Sequence, residues 1–445
     1  MNQSTNNKPT LDRLNILDNS GNRQYVYPAD VSGFYTKFKP FVFACLILLY
    51  AGLPWVKIGG HPAILLDVAN RNFFLFGQVY NAQDFFLMFF IFSGAAFLLV
   101  VLTALFGRIW CGWLCPQTVF IEGLFRRVER WIEGPARARI LLNKSPISLS
   151  KFAKKLSKHV IYLSLSLFLS HVFLSYFNTA SNYYFFTFLS IILYFNFFLF
   201  REQFCVVMCP YGRMQSVLQD RDTININYDT RRGEPRGKAH DNTTGDCVNC
   251  GRCVAVCPTG IDIRNGLQME CIGCANCVDA CDAIMLKLNR PLGLIRYDSL
   301  RGLETGKKRY IRPRLLGYLL AGCIGIGVAS TLWINHLPFE ANLLRVQGIP
   351  FTVTAEVIEN KFMVHLVNKN TTPTTLTLIN QSEKSVRVIL PMFEVRLEPL
   401  QSFQAPVLFQ IDKKNFFRDM KAQLLIKDSA SGKEELLTGT LIGPF

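Results

Sequence analysis

Four runs without a charged residue constrain this chain more than any other feature. They cover residues 40–56 (17 residues), 85–106 (22), 160–200 (41) and 315–334 (20). About 20 apolar residues in a helix cross the hydrocarbon core of a bilayer. The polar stretch 178–182 divides the longest run into two spans joined by a tight hairpin, so the expectation is five spans. The first is the shortest and holds Gly52 and Pro54. Half the chain is apolar, only 18% is charged, and there are 37 phenylalanines. This composition excludes a disordered chain, a small disulfide scaffold and an all-soluble enzyme. The first 37 residues are polar and lack a small-residue cleavage site after an apolar core, so no cleavable signal peptide is expected.

Basic residues orient the spans. Segment 107–159 carries 11 Lys/Arg and segment 201–314 carries 18, whereas 57–84 has only Lys57 and Arg71. The positive-inside rule then places the N-terminus, 107–159 and 201–314 in the cytoplasm, and residues 335–445 outside. That tail has 12 Lys/Arg against 11 Asp/Glu. The net charge of +16 is therefore a record of topology, and no nucleic-acid partner is expected.

Cysteine is concentrated. Eight of 14 lie in 247–281, four form two CxxxCP pairs, and Cys45 and Cys323 stand alone in apolar segments, where simple packing is expected. One run reads Cys247, Cys250, Cys253, Cys257-Pro258; the other reads Cys271, Cys274, Cys277, Cys281. This is the spacing of a two-cluster bacterial ferredoxin, in which the fourth cysteine of each run serves the other cluster. The expected ligands are Cys247, Cys250, Cys253 and Cys281 for one [4Fe–4S] cluster, and Cys257, Cys271, Cys274 and Cys277 for the other. Gly251 and Gly273 permit tight turns between ligands. A zinc module also uses CxxC, but rarely the third step. Asp282 stands where the first run has Pro258 and is expected to alter the exit turn. No nucleotide or flavin fingerprint is present, so electrons must come from a partner or a membrane quinol.

Cys111/Cys115-Pro116 directly follows the second span, and Cys205/Cys209-Pro210 the fourth. Both spans end on one side by the charge argument, so four thiols should share one membrane depth. If helical geometry persists, i and i+4 share a face, and the prolines end or redirect the turn. Such thiols can bind a soft metal or exchange electrons; the plainer reading is four packed thiols. Met208 is an auxiliary soft ligand at most, and Arg108 and Arg213 mark the interface. His61 suits a loop role. His171 lacks a paired membrane histidine for a haem and is taken as structural. His365 is taken as a surface or structural residue on a strand.

Residues 346–445 alternate like strands. Segments 351–358 and 361–367 form two of them, with Glu359-Asn360 as the turn, and 374–379, 386–389, 395–397, 407–411 and 422–426 continue the series. The expectation is an immunoglobulin-like sandwich. The fold class is thus a multi-helix membrane protein with a cytoplasmic two-cluster ferredoxin-like domain and a C-terminal β-sandwich. Its parts are an N-terminal segment 1–39; a four-span region 40–200 with a loop 107–159; a cytoplasmic region 201–314 with the ferredoxin-like domain at about 240–290; a fifth span 315–334; and the outer domain 335–445.

Together these features resemble the cytochrome c oxidase accessory family called CcoG, FixG or RdxA, over nearly the full length. A related group, the membrane quinol-dehydrogenase components, shares the CxxxCP pairs and cluster motifs, but the long C-terminal sandwich favours the accessory family. The resemblance implies a bacterial inner-membrane protein with a periplasmic C-terminal domain. It implies reduction of Cu(II) to Cu(I) during assembly of a cbb-type oxidase, with a copper chaperone or copper-export ATPase as partner. Cys111, Cys115, Cys205 and Cys209 then contact copper or relay electrons. The alternatives are a quinol-linked electron conduit and a non-enzymatic assembly scaffold.

Overall fold

Five apolar segments become helices long enough to cross a membrane, among the described residues of the computed structural model. The structure describes residues 25–444 except 70, 81–83, 178–182, 240–242, 335–336, 350, 355 and 371. The hairpin expected at 178–182 therefore lies outside the described residues. The spans are Phe34–Gly52, Phe85–Phe106, Leu149–Ser175, Tyr183–Phe195 with its π-helical extension Asn196–Phe200, and Pro313–Ile334.

The first span starts earlier than its uncharged run. Gly33 lacks a side chain, and the carboxylate of Asp279 fills that space. Asp279 accepts from the backbone N–H of Tyr35 at 3.2 Å and of Thr36 at 2.7 Å, and from the Thr36 hydroxyl at 2.8 Å. A helix N-terminus leaves such donors unsatisfied, and here the acceptor comes from 243 residues downstream. Cys45 and Cys323 are exposed on the first and fifth spans, which corrects the expectation of protein packing. His171 is likewise exposed on the third span.

The chain forms two compact units, 1–53 with 90–327, and 54–89 with 328–445. In the first, the cysteine runs close around a core containing Ile226, Ile261, Val278, Met285 and Ile295. A two-stranded ladder, Asn225–Tyr228 against Ile295–Asp298, ties the chain entering this region to the chain leaving it.

In the second unit two antiparallel sheets share one apolar core. Strands Val386–Ile389, Ser402–Asp412, Val357–Asn368 and Phe339–Arg345 lie side by side, with Phe351–Val353 also on Val357–Asn368. Facing them are Glu394–Leu397, Thr374–Asn380, Lys421–Asp428 and Glu434–Thr440. Phe362, Val364, Phe409, Leu424 and Ile426 fill the space between. Glu359-Asn360 is not a turn: it lies inside the strand Val357–Asn368, while the expected strand 351–358 is broken after Val353. The reason is Asn360, which is fully buried and holds the C-terminal segment: its amide donates to the Ile442 carbonyl at 2.9 Å and accepts from the Ile442 N–H at 2.8 Å.

Segment 57–80 adds short strands to this unit, among them Ile64–Asp67, Asn72–Leu75 and Gln78–Tyr80. His61 stacks on Phe74 there with centroids 4.6 Å apart. A buried ion pair, Lys369 Nζ to Asp84 at 2.9 Å, fastens the segment to the sandwich.

Candidate functional site

The eight clustered cysteines line two hollows. One encloses about 330 Å³ of empty space, including its mouth, and is lined by Cys253, Cys257, Cys271, Cys274 and Cys277. The other encloses about 360 Å³ and is lined by Cys247, Cys250, Cys253 and Cys281. Cys253 lines both hollows; otherwise the first takes Cys257 from the first run and three cysteines from the second, and the second takes Cys281 from the second run. Among the described residues no three metal-ligating side chains converge on one ion-sized point. A zinc site would bring four sulfurs to about 2.3 Å from a single ion. Hollows of this kind fit four-iron cubes instead, whose sulfide and iron fill the space between ligands. Gly251 and Gly273 turn the ligand loops with φ of +67° and +68°. Asp282 accepts from the Gly293 N–H at 2.9 Å, so it fixes the chain after the ligand helix Asn276–Lys287.

The CxxxCP pairs form two similar arms. Cys111 lies in the short helix Ile109–Trp113, and the helix breaks before Cys115, which precedes Pro116–Phe120. Cys205 lies in a π-helical turn, Phe204–Met208, and Cys209 precedes the helix Pro210–Leu218. Helical geometry does not persist across either pair. In each arm proline occupies the first helical position, where its missing N–H leaves no bond unmade. The residue after each proline reaches the opposite arm's span. Gln117 and Asn196 exchange side-chain hydrogen bonds at 2.8 and 3.1 Å, and the Tyr211 and Thr103 hydroxyls meet at 2.6 Å.

All four thiols are free and half-buried. Burial pushes Cys111 up to about 11, with Cys115 adding to the rise and Arg108 opposing it. Burial also pushes Cys205 up, reinforced by Cys115 and Cys111, so thiols of both arms lie within electrostatic reach of one another. Cys111 Sγ lies 3.6 Å from Oε1 of the buried Gln215. Met208 is 56% exposed.

One arm sits directly on the Cys271–Cys274 loop. A side chain on Gly112 would stand 2.7 Å from the Gly273 carbonyl oxygen and 2.8 Å from that of Ile272. A side chain on Gly273 would stand 2.9 Å from the Arg108 carbonyl oxygen. The two glycines thus let backbone meet backbone. Arg108 is not an interface marker. It is buried, donates to the carbonyls of Met269, Cys271 (3.3 Å) and Gly212 (3.0 Å), and so joins the ligand loop to both arms. Burial lowers its pKa, and the neighbouring Cys271 and Cys111 oppose that. Trp113 Nε1 donates to the Tyr297 hydroxyl at 3.1 Å, which donates to the Gly273 carbonyl at 2.7 Å.

A buried ion network braces the arms from behind. Glu129, on Arg126–Glu133, accepts from Arg201 at 2.9 and 3.1 Å and from Arg139 at 2.9 Å. Burial alone would raise the Glu129 carboxyl; Arg201, with Lys158 and Arg139 behind it, holds it down to about 2. Arg201 has φ of +49°, a conformation disfavoured for a side-chain-bearing residue. Its bonds to Glu129 and to the Phe197 carbonyl hold it there, four residues before Cys205. A CxxxCP motif gives no signal for Arg201 or Glu129; only the charge of Arg201 directly after a span does.

Comparison with known proteins agrees with this chemistry. A 4Fe-4S dicluster domain model matches residues 200–300, and a 4Fe-4S binding domain model matches residues 87–135. The chain is 33% identical over 415 residues to nitrogen fixation protein FixG of Rhizobium meliloti, covering 80% of this chain and 79% of that one. It is 36% identical over 340 residues to protein RdxA of Cereibacter sphaeroides, covering 70% and 71%. To protein RdxB of the same organism it is 35% identical over 387 residues, covering 78% and 80%. A crystal structure of a FixG-related protein from Vibrio parahaemolyticus aligns with 25% of this chain and 100% of its own, at 16% identity and a TM-score of 0.23.

Proposed function

The chain belongs to the FixG/RdxA family, and from that premise we propose that it is a membrane iron–sulfur electron-transfer protein that reduces Cu(II) to Cu(I) for assembly of a cbb-type oxidase. The observation that carries this is the contact of Gly112 with Gly273 and Ile272, which seats the first thiol arm on a ligand loop. We assign Cys247, Cys250, Cys253 and Cys281 to one [4Fe–4S] cluster and Cys257, Cys271, Cys274 and Cys277 to the other. When bound, the clusters supply one-electron transfer. The Lys/Arg asymmetry supports a cytoplasmic cluster domain and a periplasmic sandwich of immunoglobulin-like type in the bacterial inner membrane.

The chain's own residues then do three things. Arg108 and Gly112 hold the thiol arm against the Cys271–Cys274 loop, so that the electron path is short. Cys111, Cys115, Cys205 and Cys209 offer soft sulfur to the copper substrate, which favours Cu(I) over Cu(II). Gln117, Asn196, Tyr211 and Thr103 hold the two arms in register. Each copper takes one electron and leaves as Cu(I); its coordinating thiols release protons to bind it and regain them when it departs.

The test is anaerobic. Protein with reduced clusters is mixed with Cu(II), and cluster oxidation is followed together with Cu(I) formation. A variant lacking Cys111, Cys115, Cys205 and Cys209 but retaining its iron should lose Cu(I) formation. Equal, negligible reduction by both proteins overturns cupric reduction and leaves a quinol-linked conduit or a scaffold.

A further inference from the structure

Lys39, near the start of the first span, is only 7% exposed. Its ammonium donates to Asn276 Oδ1 at 2.8 Å and lies 5.7 Å from the Trp113 ring centroid. Both partners are neutral, and no carboxylate among the described residues pairs with it. An ammonium has three N–H donors, and Asn276 takes one of them. A buried charge requires a counter-charge.

Lys39 lines a cleft that encloses about 670 Å³ of empty space, including its open mouth, and whose lining holds four cations (Lys39, Arg126, Arg127, Arg130) and one carboxylate, Glu122. Arg126 already engages Glu122 and Glu202, and Arg130 pairs with Asp30 at 2.6 Å. Arg126 Nε is buried without a partner. Lys39 and the exposed Arg127 are thus left with surplus positive charge on a shared pocket.

We infer that this pocket binds a phosphate group carried by the headgroup of an anionic membrane lipid. Phosphate matches clustered ammonium and guanidinium donors. The lipid source follows from the wall. Pro40 and Phe43 of the first span line the pocket, and Phe38 and Phe41 of the same helix are 48% and 66% exposed. Acyl chains can follow that helix while the headgroup meets the cations, as basic pockets at helix ends do with acidic lipids. The bound phosphate would lie against Asn276, the residue before Cys277. This inference does not depend on the copper reading.

The experiment uses the full-length, iron-loaded protein in detergent. Native mass spectrometry follows retention of phosphatidylglycerol against phosphatidylcholine, and thermal shift follows inorganic phosphate. Phosphatidylglycerol should be retained selectively. Lys39→Gln should weaken that retention about fivefold or more, with Lys39→Arg restoring it. Arg127→Gln, at an exposed position that folding does not need, should weaken it in the same direction. Equal retention of phosphatidylcholine, or unchanged retention in Arg127→Gln and in folded Lys39→Gln, overturns the site. Equal protection by millimolar inorganic phosphate overturns the lipid source and leaves a free-anion site. If Lys39→Gln loses its iron, Arg127→Gln decides.

Discussion

The two cysteine-lined hollows are made from interleaved parts of the same two runs, yet they meet different surroundings. The hollow of Cys257, Cys271, Cys274 and Cys277 owns the ligand loop that Gly112, Arg108 and Tyr297 touch. The hollow of Cys247, Cys250, Cys253 and Cys281 is also lined by Val248, Arg252 and Arg264, and its Cys250 is exposed. Near-identical spacing therefore produces one site turned towards the thiol arms and one turned towards solvent. Under the proposed function this orders the path: a donor meets the Cys250 side, and electrons leave through the Cys271–Cys274 loop.

That ordering can be broken at several strengths. The largest effect should come from Cys274→Ala, which should remove about half the iron and abolish copper-dependent oxidation of the remaining cluster. Cys250→Ala should also lose about half the iron, but its surviving cluster, reduced chemically, should still be oxidised by copper. Iron analysis with electron paramagnetic resonance separates the two, and equal behaviour would refute the order. Next is the brace both arms share. Glu129→Gln leaves Arg201, Arg139 and Lys158 short of a buried partner and should destabilise the protein by about 3–5 kcal/mol. The Glu129 carboxyl sits below its ordinary 4.5, at about 2, so its contribution is full above pH 4.5 and fades as pH falls towards 2. Acid unfolding curves should show that phase in the wild type and lack it in the variant.

Gly112→Ala acts only at the junction. Its new methyl must displace the Ile272–Gly273 backbone, slowing cluster oxidation by copper about tenfold or more with iron content unchanged. Gly251→Ala, in the other hollow, meets nothing within 4 Å and strains only a positive φ; it should cost about 1–2 kcal/mol of stability and leave the copper rate alone. Stopped-flow absorbance and thermal melts on both variants test this contrast. The smallest change is Trp113→Phe, which deletes the donor to Tyr297 and should lower stability by about 1 kcal/mol.

Spacing made much of this legible. The spans, the two runs and the alternating strands are local patterns, and periodicity reports local patterns. What escaped was non-local. Arg108 looks like an ordinary interfacial arginine until Met269, Cys271 and Gly212 surround it. Asn360 looks like a turn residue until Ile442 returns to pair with it. The broken helix at Cys115 was half legible, since Pro116 announces a restart but not the π-helical turn that carries Cys205. Segment 57–80 looked like a connecting loop because its strands are too short to show a period.

The cap of the first span has a consequence in time. Ribosomes deliver Gly33 and Tyr35 long before Asp279, which lies between Cys277 and Cys281. Until the segment carrying Asp279 has been synthesised and folded, the first helix lacks the acceptor for its leading amides. Maturation of the cofactor domain is thereby written into the N-terminal edge of the membrane domain. A chain in which that segment has not folded would leave the Tyr35 and Thr36 amides unfastened and open to proteolysis, and a completed one would hold them.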